Sequence, residues 1–245
     1  MNNEKYEISI VCCYYNEINI LKKKFEKFIS DRKKFNFSNE IIIADNNSSD
    51  GTVDFLRGVV NQNIENLKVI FNSKNLGKGG SIRKCTEIAS GKYIAIFDID
   101  EYSTDDLASG IQILKKSNVD LLIGSRLLDN KIFIYKKNYY GVVFFTKLIN
   151  FFFKTNLSDS AGATKIFRKK KFDEINIFTN GFDFEFDLIC KFAKLNYLID
   201  EYPVKYSPRT FAEGKKIRAI RDGIKILITI LLNFLTSKKS ILKTL

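Results

Sequence analysis

Apolar and polar positions in the first half of this chain follow two alternating periods. Short aliphatic runs at Ile8–Cys13, Glu40–Asp45, Leu67–Asn72, Tyr93–Asp98 and Asp120–Gly124 read as buried strands. Between them, apolar residues recur every three to four positions. Ile20, Leu21, Phe25 and Phe28 fall on one face of a helix predicted over Asn19–Ser30, among lysines. Helices are likewise predicted over Val53–Gln62, Lys78–Ser90 and Leu107–Ser117. This βαβα order predicts an α/β fold, a mostly parallel sheet with helices on both faces. Such sheets bind ligands beyond the carboxyl ends of their strands, so the loops that follow the strands are expected to gather on one rim.

The second half reads differently. Tyr135–Lys154 is rich in Phe, Tyr and Lys, and Ser160-Ala161-Gly162-Ala163 is a turn of small residues. A helix is expected over Gly181–Lys194, with acids at its start, then a strand over Leu198–Tyr206 and an apolar helix over Ile224–Leu235. That last run is 12 residues long and is interrupted by Lys225 and Asn233. It covers about 18 Å, against about 30 Å of bilayer hydrocarbon, so it is too short to span. With Lys238, Lys239 and Lys243 behind it, it suits the interface of an anionic membrane. Tyr139–Phe153 offers a second such stretch. Residues Met1–Glu7 are polar and Ile8–Tyr15 is short, so no secretory leader is expected. The expected division is a catalytic domain over 1–216 and a C-terminal amphipathic helical tail over 217–245.

Charge narrows the partners. Forty Lys and Arg against 28 Asp and Glu give +12, which favours nucleic acid, an acidic membrane surface or a phosphorylated substrate. The 245 residues contain no histidine, which excludes His-based triads and His-ligated zinc. The four cysteines lack the density of a disulfide framework and read as reduced, cytosolic thiols.

The most chemical stretch is Phe97-Asp98-Ile99-Asp100, where an apolar strand ends in two carboxylates. A buried strand does not hold charge, so both acids belong at its carboxyl end. There they either hold a hard divalent cation, Mg²⁺ or Mn²⁺, or cap the following helix, since Ser103, Thr104, Asp105 and Asp106 come next. Other strand-end loops carry further polar sets: Tyr14-Tyr15-Asn16-Glu17, Asp45 to Thr52, Asn75-Leu76-Gly77-Lys78-Gly79-Gly80 and Gly124-Ser125-Arg126. Glycines let a backbone approach a ligand and Lys78 favours phosphate. Arg126 and Arg209 are candidates to clamp phosphate. Asp159, Glu185 and Asp187 are the remaining acids. A carboxylate must take a proton where a hydroxyl attacks. A phosphate, with a second pKa of about 6, needs no base.

The ordered set of loops resembles the family 2 glycosyltransferases of GT-A fold. Asp159-Ser160-Ala161-Gly162, Lys165-Ile166-Phe167-Arg168, Phe184-Glu185-Phe186-Asp187, and Arg209 with Glu213-Gly214-Lys215-Lys216 resemble the polyprenyl-phosphate sugar transferases, such as the dolichyl-phosphate mannose synthases. The resemblance spans roughly residues 7 to 235. It implies a metal-dependent, inverting glycosyltransferase, peripheral at the cytosolic membrane face, that moves a sugar from a nucleoside-diphosphate sugar to a polyprenyl phosphate. A neighbouring version uses a saccharide hydroxyl in cell-surface polysaccharide synthesis. The implied roles are metal for Asp98 and Asp100, with Asp98 also reaching the donor. Tyr15, Glu17, Asp45, Lys78 and Arg209 fall to donor binding, and Asp159, Arg126 and Asp187 to catalysis. Asp159 is expected to orient the acceptor or a basic residue. Homo-oligomers remain compatible with this reading. Cys13, Glu101 and Tyr102 depart from the family pattern, the last two beside the metal pair. A basic nucleic-acid-binding protein is the rival from another class, and a catalytically dead scaffold a third. Carboxylates along the binding rim argue against nucleic acid because they repel a phosphate backbone.

Overall fold

The computed structural model describes residues 4–128, 135–210, 216 and 218–243. In chain order the elements are β1 (Tyr6–Tyr14), α1 (Ile18–Arg32), β2 (Asn39–Asp45), α2 (Thr52–Asn61), β3 (Leu67–Phe71), α3 (Gly77–Ile88), β4 (Gly91–Ile96) and α4 (Thr104–Lys116). They continue with β5 (Leu121–Ser125), α5 (Lys136–Phe153), β6 (Lys165–Arg168), α6 (Lys169–Asp173), α7 (Phe184–Lys194), β7 (Ile199–Pro203), α8 (Ala219–Leu235) and α9 (Lys238–Ile241). The strands form one sheet in the order β3-β2-β1-β4-β6-β5-β7. All neighbours run parallel except β6, which is antiparallel to both β4 and β5. The mixed, mostly parallel sheet is therefore as expected.

Strand alternation sends successive side chains to opposite faces. On β1, Ile8, Ile10 and Cys12 join a core layer with Leu21, Phe25 and Phe28 of α1, Leu56 of α2 and Leu107 and Ile111 of α4. Val11 joins the other layer, with Ile82 of α3, Ile149 of α5, Phe184 and Leu188 of α7 and Ile226 and Ile230 of α8. Helices thus cover both faces. All four cysteines are free thiols.

Reversal of β6 places its amino end, not its carboxyl end, on the rim where the parallel strands finish. The 158–164 turn therefore meets the loops after β4 and β5. Gly162 permits this approach: a Cβ there would lie 2.1 Å from the Gly124 carbonyl oxygen. Gly77, at φ +75°, does the same at the start of α3, where a Cβ would meet the Asn180 carbonyl at 2.2 Å. α4 is capped by Ser103, whose hydroxyl accepts from the Asp105 amide at 3.1 Å. The capping reading of the Asp100–Asp106 stretch thus holds for Ser103 and leaves Asp98 and Asp100 for other work.

Candidate active site

The loops after β1 and β2 are tied together at the rim. Asn16 adopts a left-handed φ of 51°. Its amide donates to Ser48 Oγ at 2.8 Å, and its side chain accepts from the Ser49 amide at 2.8 Å. Asp45, at the end of β2, accepts from the Ser48 amide through Oδ2 at 3.1 Å. Its Oδ1 is buried with no hydrogen-bond partner. An unpaired buried carboxylate oxygen costs free energy unless a ligand group meets it.

Asp98 and Asp100 stand in a turn in which the Glu101 and Tyr102 amides both donate to the Asp98 carbonyl, at 3.2 and 3.3 Å. Lys78 holds the Asp98 carboxylate at 2.9 Å and reaches Glu185 Oε1 at 2.8 Å. Glu185 Oε2 in turn lies 3.4 Å from Lys165 Nζ, and Lys165 also donates to the Gly162 carbonyl. The result is an alternating row, Asp98–Lys78–Glu185–Lys165, running from the rim into the core. Burial alone would push the Lys78 ammonium down, but Asp98 and Glu185 outweigh it and hold the pKa well above its ordinary value. Lys165 is fully buried, and burial lowers its pKa despite Glu185. For Glu185, burial would raise the carboxyl, yet Lys165 and Lys78 hold it below its usual range.

Asp100 belongs to a second cluster. Lys24 Nζ donates to its carbonyl at 2.6 Å. Arg209 reaches Glu17 Oε2 at 3.0 Å, Asp100 Oδ2 at 2.7 Å and Glu101 Oε1 at 3.5 Å. Lys216 contacts Glu17 and the carbonyl of Tyr15, whose half-exposed ring lies 5.7 Å from Nζ. The Asp100 carboxyl is pushed up to about 6 by burial and by Asp98. Glu101 is pushed up to about 7 by burial and by Asp100. Glu101 thus joins the acidic cluster. Tyr102 does not: its hydroxyl accepts from the Ala163 amide at 3.2 Å and its ring packs on Tyr206 at 5.6 Å.

On the β5 side, Arg126 grips Asp159. Nε and Nη2 meet Oδ2 and Oδ1 at 2.7 and 2.8 Å, and the Arg126 amide meets Oδ2 at 3.1 Å. The guanidinium lies over the Tyr206 ring at 5.1 Å. Burial would raise the Asp159 carboxyl, but Arg126 overcomes this and holds it below its ordinary value. Asp159 is thus paired with a basic residue.

Asp187 is placed differently from expectation. It stands two residues after Glu185 on α7, and side chains at i and i+2 do not share a helix face. Glu185 faces the rim lysines, whereas Asp187 is buried against Thr179, Lys191 and Asn233, at 3.0, 2.7 and 2.9 Å. It closes the α7–α8 contact rather than joining the rim acids. The other expected site residues, Tyr15, Glu17, Asp45, Asp98, Asp100, Arg126, Asp159 and Arg209, lie at strand ends or in loops, and Lys78 lies in the first turn of α3. Glu213, Gly214 and Lys215 lie outside the described residues. Sequence reading missed Lys165 as a paired core cation and Glu201 altogether. A lysine opening the apolar Lys165–Arg168 strand was the available signal for the first.

Asp98 and Asp100 are the two rim carboxylates that could hold a divalent cation. Asp100 Oδ2 is buried and lies 2.7 Å from Arg209 Nε without an aligned hydrogen bond. Among the described residues there is no preformed group of three or more metal-ligating side chains, so water and ligand oxygens would complete any shell.

Comparison with known proteins identifies the family and the fold. The family model described as Glycosyl transferase family 2 matches residues 9–176. An uncharacterized glycosyltransferase of Methanocaldococcus jannaschii is 29% identical over 211 residues, which cover 83% of this chain and 71% of that protein. A dolichyl-phosphate beta-glucosyltransferase of Saccharomyces cerevisiae is 26% identical over 250 residues, covering 92% of this chain and 73% of that one. Among solved structures, glucosyl-3-phosphoglycerate synthase from Mycobacterium tuberculosis, in complex with Mn²⁺, UDP and glucosyl-3-phosphoglycerate, shares the fold with a TM-score of 0.66 at 15% identity, over 94% of this chain and 80% of that one.

Proposed function

This chain belongs to glycosyl transferase family 2, and on that premise we propose that it moves a sugar from a nucleoside-diphosphate sugar to a polyprenyl phosphate at the cytosolic face of a membrane. The observation that carries this reading is the rim itself. Two carboxylates just beyond β4 are met by cations from elsewhere in the chain, Asp98 by Lys78 from the start of α3 and Asp100 by Arg209 from the loop after β7, while Arg126 stands paired with Asp159 in the loop after β5.

In this reading Asp98 and Asp100 hold Mg²⁺ or Mn²⁺. Bound there, the cation would neutralise the diphosphate and stabilise it as a leaving group. Lys78 pairs with the Asp98 carboxylate and aims it. Asp45, Tyr15 and Glu17 hold the nucleoside end of the donor. Arg209 exchanges carboxylate partners for donor phosphate.

The acceptor is read from Asp159. Both of its oxygens are engaged by Arg126, and its pKa is held low, so it is a poor proton acceptor. Glu185 is held low between two lysines. An acceptor that arrives already ionised suits such a site, and a phosphate does so at neutral pH. Arg126 then positions that phosphate for attack on the anomeric carbon from the side opposite the leaving group, which inverts its configuration.

The membrane reading is supported by α5 and α8. They pack together through Phe152 and Phe234, with ring centroids 4.6 Å apart, and leave Phe144, Phe151, Ile224, Ile228 and Leu235 exposed. Lys136, Lys137 and Lys147 lie on α5, Lys225 on α8, and Lys238, Lys239 and Lys243 after it. Among the described residues no helix is long and apolar enough to cross a membrane. An amphipathic pair of this kind suits an anionic interface. The 217–245 segment is accordingly proposed as a membrane-facing tail of a 1–216 catalytic domain.

The deciding experiment is donor turnover with Mn²⁺ on two acceptors, a short-chain polyprenyl phosphate and a panel of saccharides. Turnover on the lipid phosphate is expected. Turnover on saccharide hydroxyls alone would sink the lipid assignment.

A further inference from the structure

Glu201 lies on β7, the strand at the sheet edge, in parallel register with Ile123 of β5, while Pro203 pairs with Ser125. This register brings the edge strand alongside the segment that leads into Arg126. The Glu201 carboxylate accepts two consecutive backbone amides from the turn before β6. Oε2 takes the Ser158 amide at 2.6 Å and Oε1 takes the Asp159 amide at 2.8 Å. Two adjacent amides converging on one carboxylate fix both the position and the direction of the peptide between them, and charge-assisted bonds of this length are strong. Ser158 is further tied to β5, its hydroxyl 2.6 Å from Ser125 Oγ.

The fixed peptide carries Asp159. Its own carboxylate is fully committed. Oδ2 accepts the Arg126 amide and Nε, and Oδ1 accepts Arg126 Nη2 and the Ala161 amide at 3.1 Å. A relay therefore runs from Glu201 through two amides to Asp159 and on to the guanidinium. A bidentate arginine–carboxylate pair depends on both planes being held, and a shift of a few tenths of an ångström at Asp159 turns the guanidinium.

We infer that Glu201 is a positioning residue that sets the orientation of Arg126 by clamping the Ser158–Asp159 backbone. The functional consequence rests on the reading that Arg126 meets the acceptor phosphate; the positional claim does not.

Both levels are separable in one set of measurements on the full chain. The Nε–H cross-peak of Arg126 is identified in a ¹H–¹⁵N spectrum as the one absent from R126K. In E201Q, where one amide loses its acceptor, that cross-peak is expected to move toward the position of exposed arginines. The KM for a short-chain polyprenyl phosphate should rise about tenfold, the equivalent of about 1.4 kcal/mol of binding, with the donor KM unchanged. An unmoved cross-peak in folded E201Q overturns the inference. Should E201Q fail to fold, E201D, which keeps the charge but withdraws it by one methylene, gives the same test: its Arg126 cross-peak must shift. If R126K itself leaves the lipid-phosphate KM unchanged while the E201Q cross-peak moves, the acceptor reading of Arg126 fails and the positioning role stands.

Discussion

Arg209 Nε lies 2.7 Å from Asp100 Oδ2, yet neither atom makes a hydrogen bond. The two charges are pressed together without the alignment that would make them a lasting pair. A cation at Asp100 and the Arg209 guanidinium therefore compete for the same oxygen. In R209A the free protein should bind Mn²⁺ more tightly, by about tenfold, since removing one neighbouring positive charge is worth on the order of 1.4 kcal/mol or more. Nucleotide-sugar affinity should fall in the same variant, because the phosphate loses a partner. Titration calorimetry with Mn²⁺ alone, then with donor, reads both; unchanged Mn²⁺ affinity would rule out the competition.

The carboxylate pair makes a plain prediction about nucleotide binding. With UDP or GDP at about 100 times its dissociation constant and Mn²⁺ present, the folded state should gain roughly 2.7 kcal/mol. D98N and D100N should each lose that gain, seen as a vanished thermal shift, and should keep the melting temperature of the nucleotide-free protein to within a few degrees. A nucleotide-dependent shift that survives D100N would place the cation elsewhere.

The row Asp98–Lys78–Glu185–Lys165 predicts unequal costs for its members. Glu185→Ala leaves the fully buried Lys165 without a carboxylate partner and Lys78 with Asp98 alone. Breaking a buried pair by removing one partner costs about 3–5 kcal/mol. Lys165→Met costs less, because Glu185 keeps Lys78 as a partner and the methionine fills the same space. Urea denaturation of the two variants should rank E185A well below K165M. Equal midpoints would mean that Lys165 carries no buried charge.

Much of this site could be read from the chain before its fold was known, for identifiable reasons. Strand-end loops announce themselves because a buried aliphatic run stops abruptly at a charge, as Tyr93–Phe97 does at Asp98. In a parallel sheet those ends must share a rim. Long-range pairing left no such mark. Nothing near Arg126 signals that Asp159, 33 positions away, fills its fork, nor that Glu201 holds Asp159 from a third strand. Both contacts follow from the antiparallel insertion of β6, which a βαβ pattern does not foretell. The Asp187 expectation failed on a smaller scale: two acids two residues apart look alike in sequence but face opposite ways once α7 forms.

Two of these buried carboxyls also set the acid limit of the fold. Asp159 and Glu185 sit below their ordinary pKa ranges in the folded protein, burial being outweighed by Arg126 for the first and by the two lysines for the second. Unfolded, both titrate near about 4. Their contribution is therefore fully present above about pH 5 and is lost as pH falls through the folded values. Stability measured by urea denaturation should rise from pH 7 to 5, as the raised Asp100 and Glu101 carboxyls take up protons in the folded state, and fall steeply below 4. D159N should be less stable at pH 7 and show a shallower acid slope, because one of the depressed carboxyls is gone. An unchanged slope in D159N would mean that the Arg126 pair does not depress this carboxyl.

The exposed stripe of α8 makes the membrane reading testable apart from catalysis. Ile224, Ile228, Leu231 and Leu235 recur at helical spacing and are all exposed, while Ile226, Ile230 and Asn233 are buried against the body of the protein. Two faces of one helix are thus apolar, and only one is used by the fold. Burying an exposed isoleucine in lipid contributes roughly 1.5–3 kcal/mol. Replacing Ile224 and Ile228 together by Glu should therefore lower cosedimentation with anionic phosphatidylserine–phosphatidylcholine vesicles by at least tenfold. The melting temperature should hold, since neither side chain packs in the core. Raising salt to 0.5 M should weaken binding of the unaltered chain, because the lysines beside the stripe act through a screened field. Vesicle binding that is indifferent to both the double substitution and salt would assign this face to something other than a membrane.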